Sequence, residues 1–120
     1  MSTTLTPRVV AALKAGLPGT RVATKIPSPR PRRLVRVEHA GGQGEHDQVL
    51  DDAAFVISCW EADDILAEQL AQDARSVLRA WADADLDVWD YRGTGPASFP
   101  DPATAADRFV FRCSFTTRGR

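Results

Sequence analysis

The feature of this 120-residue chain that most constrains its fold is the sequence Phe-Val-Ile-Ser-Cys-Trp at residues 55–60. In a β-strand, successive side chains point to opposite faces of the sheet. Here both alternating sets are mostly apolar. The run, which ends a longer strand over residues 48–60, therefore predicts a central strand that is covered on both faces. The strongly apolar stretch at residues 53–60 is far too short to cross a bilayer, so we expect no membrane span.

A helical pattern follows this strand, beginning near Ala62. Asp63 and Asp64 fall in its first turn, where the helix dipole favours negative charge. This placement accounts for both aspartates without a catalytic role. We expect the helix to pack one face on the sheet. The apolar residues at helical spacing that predict this face are Leu66, Leu70, Ala74, Val77, Leu78 and Trp81.

The rest of the chain supplies a shorter helix and more strands. Thr6 and Pro7 are good first residues for a helix that ends near residue 15. Residues 20–26, 34–39, 86–91 and 108–117 have strand patterns. The last of these places on one side of the strand Phe109, Phe111, Cys113 and Phe115.

The predicted order of elements is αβββαββ, which indicates an α+β fold. We expect a mixed or antiparallel β-sheet of about four to five strands, flanked by two helices. A chain of this length can bury its own core as a single domain over residues 1–120.

Charge is sorted along the sequence. All sixteen acidic residues lie between Glu38 and Asp107, whereas the first 37 residues hold eight basic residues and the last 13 hold four. A chain with balanced total charge and separated signs can bind a polyanion, or it can bind a second copy of itself.

Patterns typical of catalytic or metal sites are weak. His39 and His46 lie beside acids near a glycine-rich connection and lack the converging groups that catalysis needs. Cys59 and Cys113 each lie in an apolar alternating run, which predicts buried thiols. Neither cysteine has the local spacing of a zinc site. We therefore expect a protein that is not an enzyme and holds no cofactor or metal.

The basic run at residues 25–36 is the strongest candidate for binding that spacing alone offers. It contains five basic residues and no acid, and its Pro-Arg segment at residues 27–33 has a proline at every second position. Prolines so spaced predict a stiff, exposed, extended loop. Nucleic-acid proteins join such clusters with aromatic residues, yet no aromatic residue precedes Phe55, and the pI is about 6.1. Contact with protein is favoured, and a nucleic-acid-binding module is the alternative.

A series of motifs runs along the chain: Val-Val-Ala-Ala-Leu at 9–13, Leu-Pro-Gly at 17–19, the basic strand at 29–37, residues 55–60 leading into the helix at Ala62, Gly-Pro at 95–96, and Pro-Asp-Pro at 100–102 before Arg108 and Phe109. Their order resembles the tail terminator proteins of long-tailed, siphovirus-type bacteriophages, especially those that infect actinobacteria. The resemblance covers nearly the whole chain. A small head-to-tail connector protein is an alternative with a related fold.

The resemblance implies a structural subunit that forms a homohexameric ring on the last ring of the tail tube. Such a ring ends tube growth and presents a surface for head attachment. Its partners would be copies of itself, the tail tube protein and a head-completion or connector protein. Genome DNA would pass through the ring without specific binding. The expected location is the head-proximal end of the tail in the virion, after assembly in the host cytoplasm.

A ring suits sorted charge, because a head-to-tail contact joins two different patches. We expect arginines of one subunit to meet acids of a neighbour or of the tube. The candidate basic side consists of Arg30, Arg32, Arg33 and Arg36, with Arg118 and Arg120 of the tail. The candidate acidic side consists of Asp63, Asp64 and Glu68.

Overall fold

The computed structural model describes residues 5–41, 44–45 and 50–118. It confirms the α+β class, with two helices and one mixed sheet among these residues. His46, Arg120 and most of the glycine-rich connection lie outside the described residues. The elements are α1 (Leu5–Gly16), β1 (Arg21–Ala23), β2 (Leu34–His39), β3 (Gly44–Glu45), β4 (Leu50–Trp60), α2 (Asp64–Ala84), β5 (Val88–Gly93), β6 (Ala97–Ser98) and β7 (Arg108–Arg118).

The sheet has the order β1-β2-β4-β7-β5, so β4 is its middle strand, as residues 55–60 predict. Strand β4 runs antiparallel to both β2 and β7, and β1 runs parallel to β2. The two-residue strands β3 and β6 add to the edges of β4 and β7, respectively, and the sequence pattern did not predict them.

Both helices pack on the same face of the sheet. Strand β7 turns Phe111, Cys113 and Phe115 toward them, which confirms the predicted apolar row, although Phe109 at its start is only partly buried. Full burial of one such large apolar side chain contributes roughly 1.5–3 kcal/mol to the free energy of unfolding. The sheet residues that form this core together with the two helices also include Val22, Val35, Val37, Ala53, Phe55, Ile57 and Cys59.

The opposite face of β4 corrects the expectation of a strand covered equally on both sides. In the described part of the chain no helix lies there, and Ala54 and Val56 are only partly buried. At the end of the strand, however, Trp60 is fully buried beside Leu34, its partner in β2. Arg30 of the proline-rich loop and Arg108 at the start of β7 lie over the Trp60 ring, and they provide the cover that the pattern had assigned to a second layer.

Helix α2 begins where its cap dictates. The Asp63 carboxylate accepts a hydrogen bond from the Leu66 backbone N–H at 2.8 Å, the standard N-cap arrangement. Leu66 itself is 44% exposed, which corrects its predicted place in the core; Ala67 and Ala71 are buried instead.

The exposure of Leu66 follows from the lengths of the two helices, which are 21 residues for α2 and 12 for α1. Gly16, the last residue of α1, lies against Val77. The first turns of α2 therefore extend beyond the end of α1, and α1 does not cover Leu66.

Two strands are shifted from their predicted limits. Strand β1 stops at Ala23, because the chain then enters the proline-rich loop, and Ile26 is exposed. Strand β5 starts at Val88 instead of residue 86, because Asp85 caps α2 and its carboxylate accepts a hydrogen bond from the Asp87 N–H at 2.9 Å. Leu86, predicted to begin the strand, lies in this turn and is 92% exposed.

Candidate assembly surfaces

Folding mixes the charges that the sequence keeps apart. Arg8 pairs with Asp85, which is 77 residues away, and Arg33 lies 3.1 Å from Glu61. These contacts join the basic amino-terminal third to the acidic middle of the chain. Sorted charge along the sequence is therefore partly neutralised in three dimensions.

Glu61 is the centre of the ion pairs at the Trp60 end of the sheet. Its side chain is only 6% exposed, and it accepts hydrogen bonds from the Arg33 guanidinium at 3.1 Å and from the Ala62 N–H at 2.7 Å. Arg32 lies farther away, at 3.6 Å. Burial would raise the pKa of Glu61, but the Ala62 hydrogen bond and the two arginines together lower it.

Trp60 forms the centre of a second cluster at the same end. Its indole N–H donates to the Asp101 carboxylate at 3.2 Å, while the guanidinium groups of Arg30 and Arg108 lie 5.8 and 5.5 Å from its ring centroid. Arg108 also lies 5.1 Å from the Phe99 ring and donates to the Phe99 carbonyl at 2.9 Å. These cation–π contacts and hydrogen bonds hold two loops over the end of the sheet.

Asp101 anchors the loop that carries Phe99. Its carboxylate accepts a hydrogen bond from the Ala103 N–H at 2.9 Å. This bond lowers the pKa of Asp101 despite the opposing effect of burial, and the Trp60 N–H and the Arg108 charge act in the same direction. The loop is thus tied to β4 by a carboxylate that remains ionised at neutral pH.

The predicted basic residues have different environments. Arg30 is half-buried over Trp60, and Arg33 donates from Nε to Thr20 Oγ1 at 2.6 Å in addition to its Glu61 contact. Arg36 forms an ion pair with Glu38 at 3.4 Å, and its Nε donates a hydrogen bond to the backbone carbonyl of Thr24. Arg32 is the most accessible of the four, with 76% of its side chain exposed.

The predicted acidic residues lie at the first turns of α2, the same end of the sheet as Arg32. Asp64 and Glu68 are exposed, whereas Asp63 caps the helix. Arg118 is the last residue of β7, at the opposite end of the sheet. The structure therefore brings most of both candidate sets to one end, leaving Arg32, Asp64 and Glu68 accessible there.

Exposed apolar side chains mark surfaces that charge patterns did not reveal. The largest exposures are those of Leu86 (92%), Ile65 (74%), Phe99 (59%) and Trp89 (52%). The exposure of Leu86 was not predicted, because this residue fits the two-residue period of a strand and was assigned to one. The signal that could have identified Trp89 is its position between two aspartates, Asp87 and Asp90, near the end of a helix.

Groups that could perform chemistry are buried or isolated in the described ranges. Cys59 and Cys113 are free and buried, as predicted, and burial raises the pKa of both thiols, to about 12 for Cys113. His39 stacks edge-on against Phe55 at 5.2 Å. Residues 5–41, 44–45 and 50–118 bring together no group of three His, Cys, Asp or Glu side chains that could hold a metal ion.

Two shallow clefts open on the surface of the described residues. One, of about 370 Å³, lies where the end of α1 meets α2 and includes Leu17, Arg33 and Asp73. The other, of about 310 Å³, lies on the helix-free face of the sheet between Arg92 and Arg112.

Neither α1 nor α2, the helices of the described chain, combines the length and apolar character that a membrane span requires.

Comparison with known proteins shows a distant structural likeness. No family model matches the chain. No curated protein matches it either. Among solved structures, a chain of the virion of a native gene transfer agent particle is similar over 96% of this chain and 89% of that chain, at 19% sequence identity and a TM-score of 0.45.

Proposed function

We propose that this protein is a virion structural subunit that forms a ring on the end of a phage-type tail tube, ends tube growth and presents a surface for head attachment. The proposed partners are copies of itself, the tube protein and a head-completion protein. The finer role as a tail terminator rests on the sequence resemblance, and the fold supports it in one specific way.

The observation that carries the proposal is the convergence of distant motifs at one end of the sheet. The Pro-Arg segment supplies Arg30, residues 55–60 end in Trp60, and Pro-Asp-Pro at 100–102 supplies Asp101, and these three side chains form one cluster with Arg108. Motifs that are scattered in the sequence thus build a single surface. A surface built from contacts that hold two loops over the end of the sheet suits a protein that acts by assembly.

Exposed groups at this end can make the intersubunit contacts. Arg32 projects from the Pro-Arg segment. Phe99, beside Arg108, and Ile65, on the first turn of α2, provide exposed apolar area. Asp64 and Glu68 offer opposite charge on the same turns of α2. Exposed ion pairs contribute only about 0–1 kcal/mol each, so their role is orientation, and apolar anchors must supply most of the affinity.

The neutralisation of the basic run favours protein contact over nucleic-acid binding. Arg33 and Arg36 have acidic partners within the chain, Glu61 and Glu38. A phosphate backbone would have to compete with these partners, which reduces the number of counterions that binding could release.

The test measures assembly and DNA binding together. Purified protein is added to growing tail tubes, and tube length is measured by electron microscopy; light scattering after size exclusion gives the particle mass with and without duplex DNA. We expect short, capped tubes and a mass that DNA does not change. Uncapped tubes, or tight DNA binding that weakens steeply with salt, would refute the proposal.

A further inference from the structure

The end of the molecule farthest from Trp60 carries an exposed apolar patch, formed by Leu86 and Trp89. Leu86 is 92% exposed, and Trp89 is 52% exposed. The first lies in the turn after α2, and the second lies in β5. Tryptophan is one of the residue types that are enriched among the anchors of protein interfaces.

The geometry of β5 explains why Trp89 faces outward. Val88 pairs with Thr117 and Asp90 pairs with Thr116, so Trp89 is the extra residue of a β-bulge. Bulges redirect side chains and are frequent at sheet edges. Strand β5 is the last strand in the sheet order, so Trp89 is displayed on an edge.

Acidic side chains form a rim around the Leu86/Trp89 patch. Asp83 is exposed, and the side chains of Asp87 and Asp90 are 65% and 50% exposed. Arg8 and Arg92 offset part of this charge through contacts at 3.9 Å to Asp87 and 3.1 Å to Asp90. With Asp85 included, these four aspartates outnumber the two arginines that form ion pairs with them.

This acidic rim opposes the helix dipole. Asp83 lies in the last turn of α2, which has no basic residue. Negative charge near a helix carboxyl end is unfavourable by about 0.3–1 kcal/mol. The rim therefore reduces helix stability, which is consistent with a role in recognising a positively charged partner.

The chain itself contains a positively charged segment that fits this surface. The Pro-Arg segment projects Arg32, whose side chain is 76% exposed. Glu61 lies closer to Arg33, at 3.1 Å, than to Arg32, at 3.6 Å, so Arg32 can leave it without stranding a buried carboxylate. The prolines stiffen the segment and lower the entropy lost on docking.

The two surfaces lie at opposite ends of one subunit. Helix α2 starts beside the Trp60 end and its 21 residues lead to the Leu86/Trp89 patch, a span of roughly 30 Å at the usual helical rise. One chain cannot bring its own two surfaces together over this distance. Two copies can, because the patch of one can meet the segment of the next.

We infer that the Leu86/Trp89 patch of one copy binds the Pro-Arg segment of a second copy, with Arg32 against the acidic rim and the tryptophan ring. This contact rests on the proposed ring function and specifies its head-to-tail interface. The acidic side of that interface is then the α2–β5 junction, and the first turns of α2 no longer have this role.

The test is sedimentation velocity on the full chain over a range of protein concentrations at low salt. Trp89→Ala should weaken self-association by about tenfold or more, as for an interface anchor. Arg32→Glu should also weaken it. The control variant Arg112→Glu makes the same charge change as Arg32→Glu at an exposed residue on the helix-free face of the sheet, and it should associate like the original chain.

Mixing the two contact variants tests the pairing directly. A Trp89→Ala chain keeps its Pro-Arg segment, and an Arg32→Glu chain keeps its patch, so their mixture contains one intact contact. We expect dimers in the mixture and monomers in each variant alone. No recovery on mixing, or a Trp89→Ala chain that associates like the original chain, would refute the inference.

Tube capping separates this contact from the proposed function. If Trp89→Ala caps tubes normally, the contact is wrong and the ring function stands. If the original chain associates through the patch but leaves tube growth unchanged, the contact stands and the ring function is wrong. A chain that is monomeric at every concentration, with Trp89 cross-linking to tube protein, would refute binding to a second copy.

Discussion

Two tryptophans at opposite ends of the sheet have opposite environments. Trp60 is fully buried, with Arg30, Asp101 and Arg108 around its ring, whereas Trp89 is 52% exposed at a bulge in an edge strand. The Trp60 end is closed by contacts within the chain. At the Trp89 end, Leu86, part of Trp89 and several acidic side chains are exposed.

The comparison separates residues that maintain the fold from residues that remain exposed. Loops fold over Trp60 because Asp101 and Glu61 anchor them through hydrogen bonds and ion pairs. At the α2–β5 junction the chain passes through a short turn, and among the described residues no loop covers Leu86. Substitutions at the two ends should therefore differ in what they impair.

The largest effect should come from Trp60→Ala. Removing a fully buried tryptophan loses its transfer free energy and leaves a cavity, which should lower the free energy of unfolding by about 3–5 kcal/mol. Urea denaturation followed by circular dichroism measures the change.

The control for this variant is Trp60→Phe, which retains an aromatic ring and removes the indole N–H. It leaves the buried Asp101 carboxylate without one donor and should cost roughly 1–3 kcal/mol. If Trp60→Ala were no more destabilising than Trp89→Ala, the contrast between the two ends would be wrong.

A smaller effect is expected from Glu61→Gln. The amide keeps an acceptor for Ala62 but removes the charge that pairs with Arg33, which should lower the free energy of unfolding by roughly 1–2 kcal/mol at neutral pH. A double-mutant cycle with Arg33→Met separates the energy of the ion pair from the other effects of each single change. Additive effects of the two changes would show that the ion pair contributes nothing.

The same carboxylate predicts a pH dependence of stability. The folded state lowers the pKa of Glu61, so its contribution is fully present above its unfolded pKa of about 4.5 and is lost as pH falls through the lower folded value. Denaturation at pH values from 7 to about 3 should therefore show a shallower loss of stability for Glu61→Gln than for the original chain. Parallel curves would contradict the prediction.

The smallest effect on folding is expected from Leu86→Ser. The side chain is 92% exposed, so the free energy of unfolding should change by no more than about 0.5 kcal/mol. For comparison, Leu70→Ala in the core face of α2 should cost about 2–5 kcal/mol. Thermal denaturation of both variants compares them directly, and a large loss for Leu86→Ser would mean that the patch stabilises the fold.

Local patterns predicted the core layer well. Alternation identified β4 as the central strand and Phe111, Cys113 and Phe115 as its buried neighbours. These predictions succeeded because the period of a strand decides which side chains face the helices. Leu66 has the same apolar character as Leu70, yet it is exposed, because the length of α1 decides whether it is covered.

Contacts between distant residues could not be predicted from the sequence. Trp60 and Asp101 are 41 positions apart, and Arg33 and Glu61 are 28 apart. Many acids were available as partners for Trp60 and Arg33. The strand register and the paths of the loops select the partner in the folded chain. The candidate site was accordingly predicted as a set of charges, without knowledge of which charges remain accessible.

The inner face of α2 has a consequence for engineering this protein. Four of its six buried residues are alanines, so the helix can approach the sheet closely while the phenylalanines of β4 and β7 fill the space between the layers. A larger side chain at Ala71 would have to push the layers apart, a kind of change that typically costs about 1–3 kcal/mol. Redesign that enlarges the helix side must therefore begin by shortening side chains on the sheet.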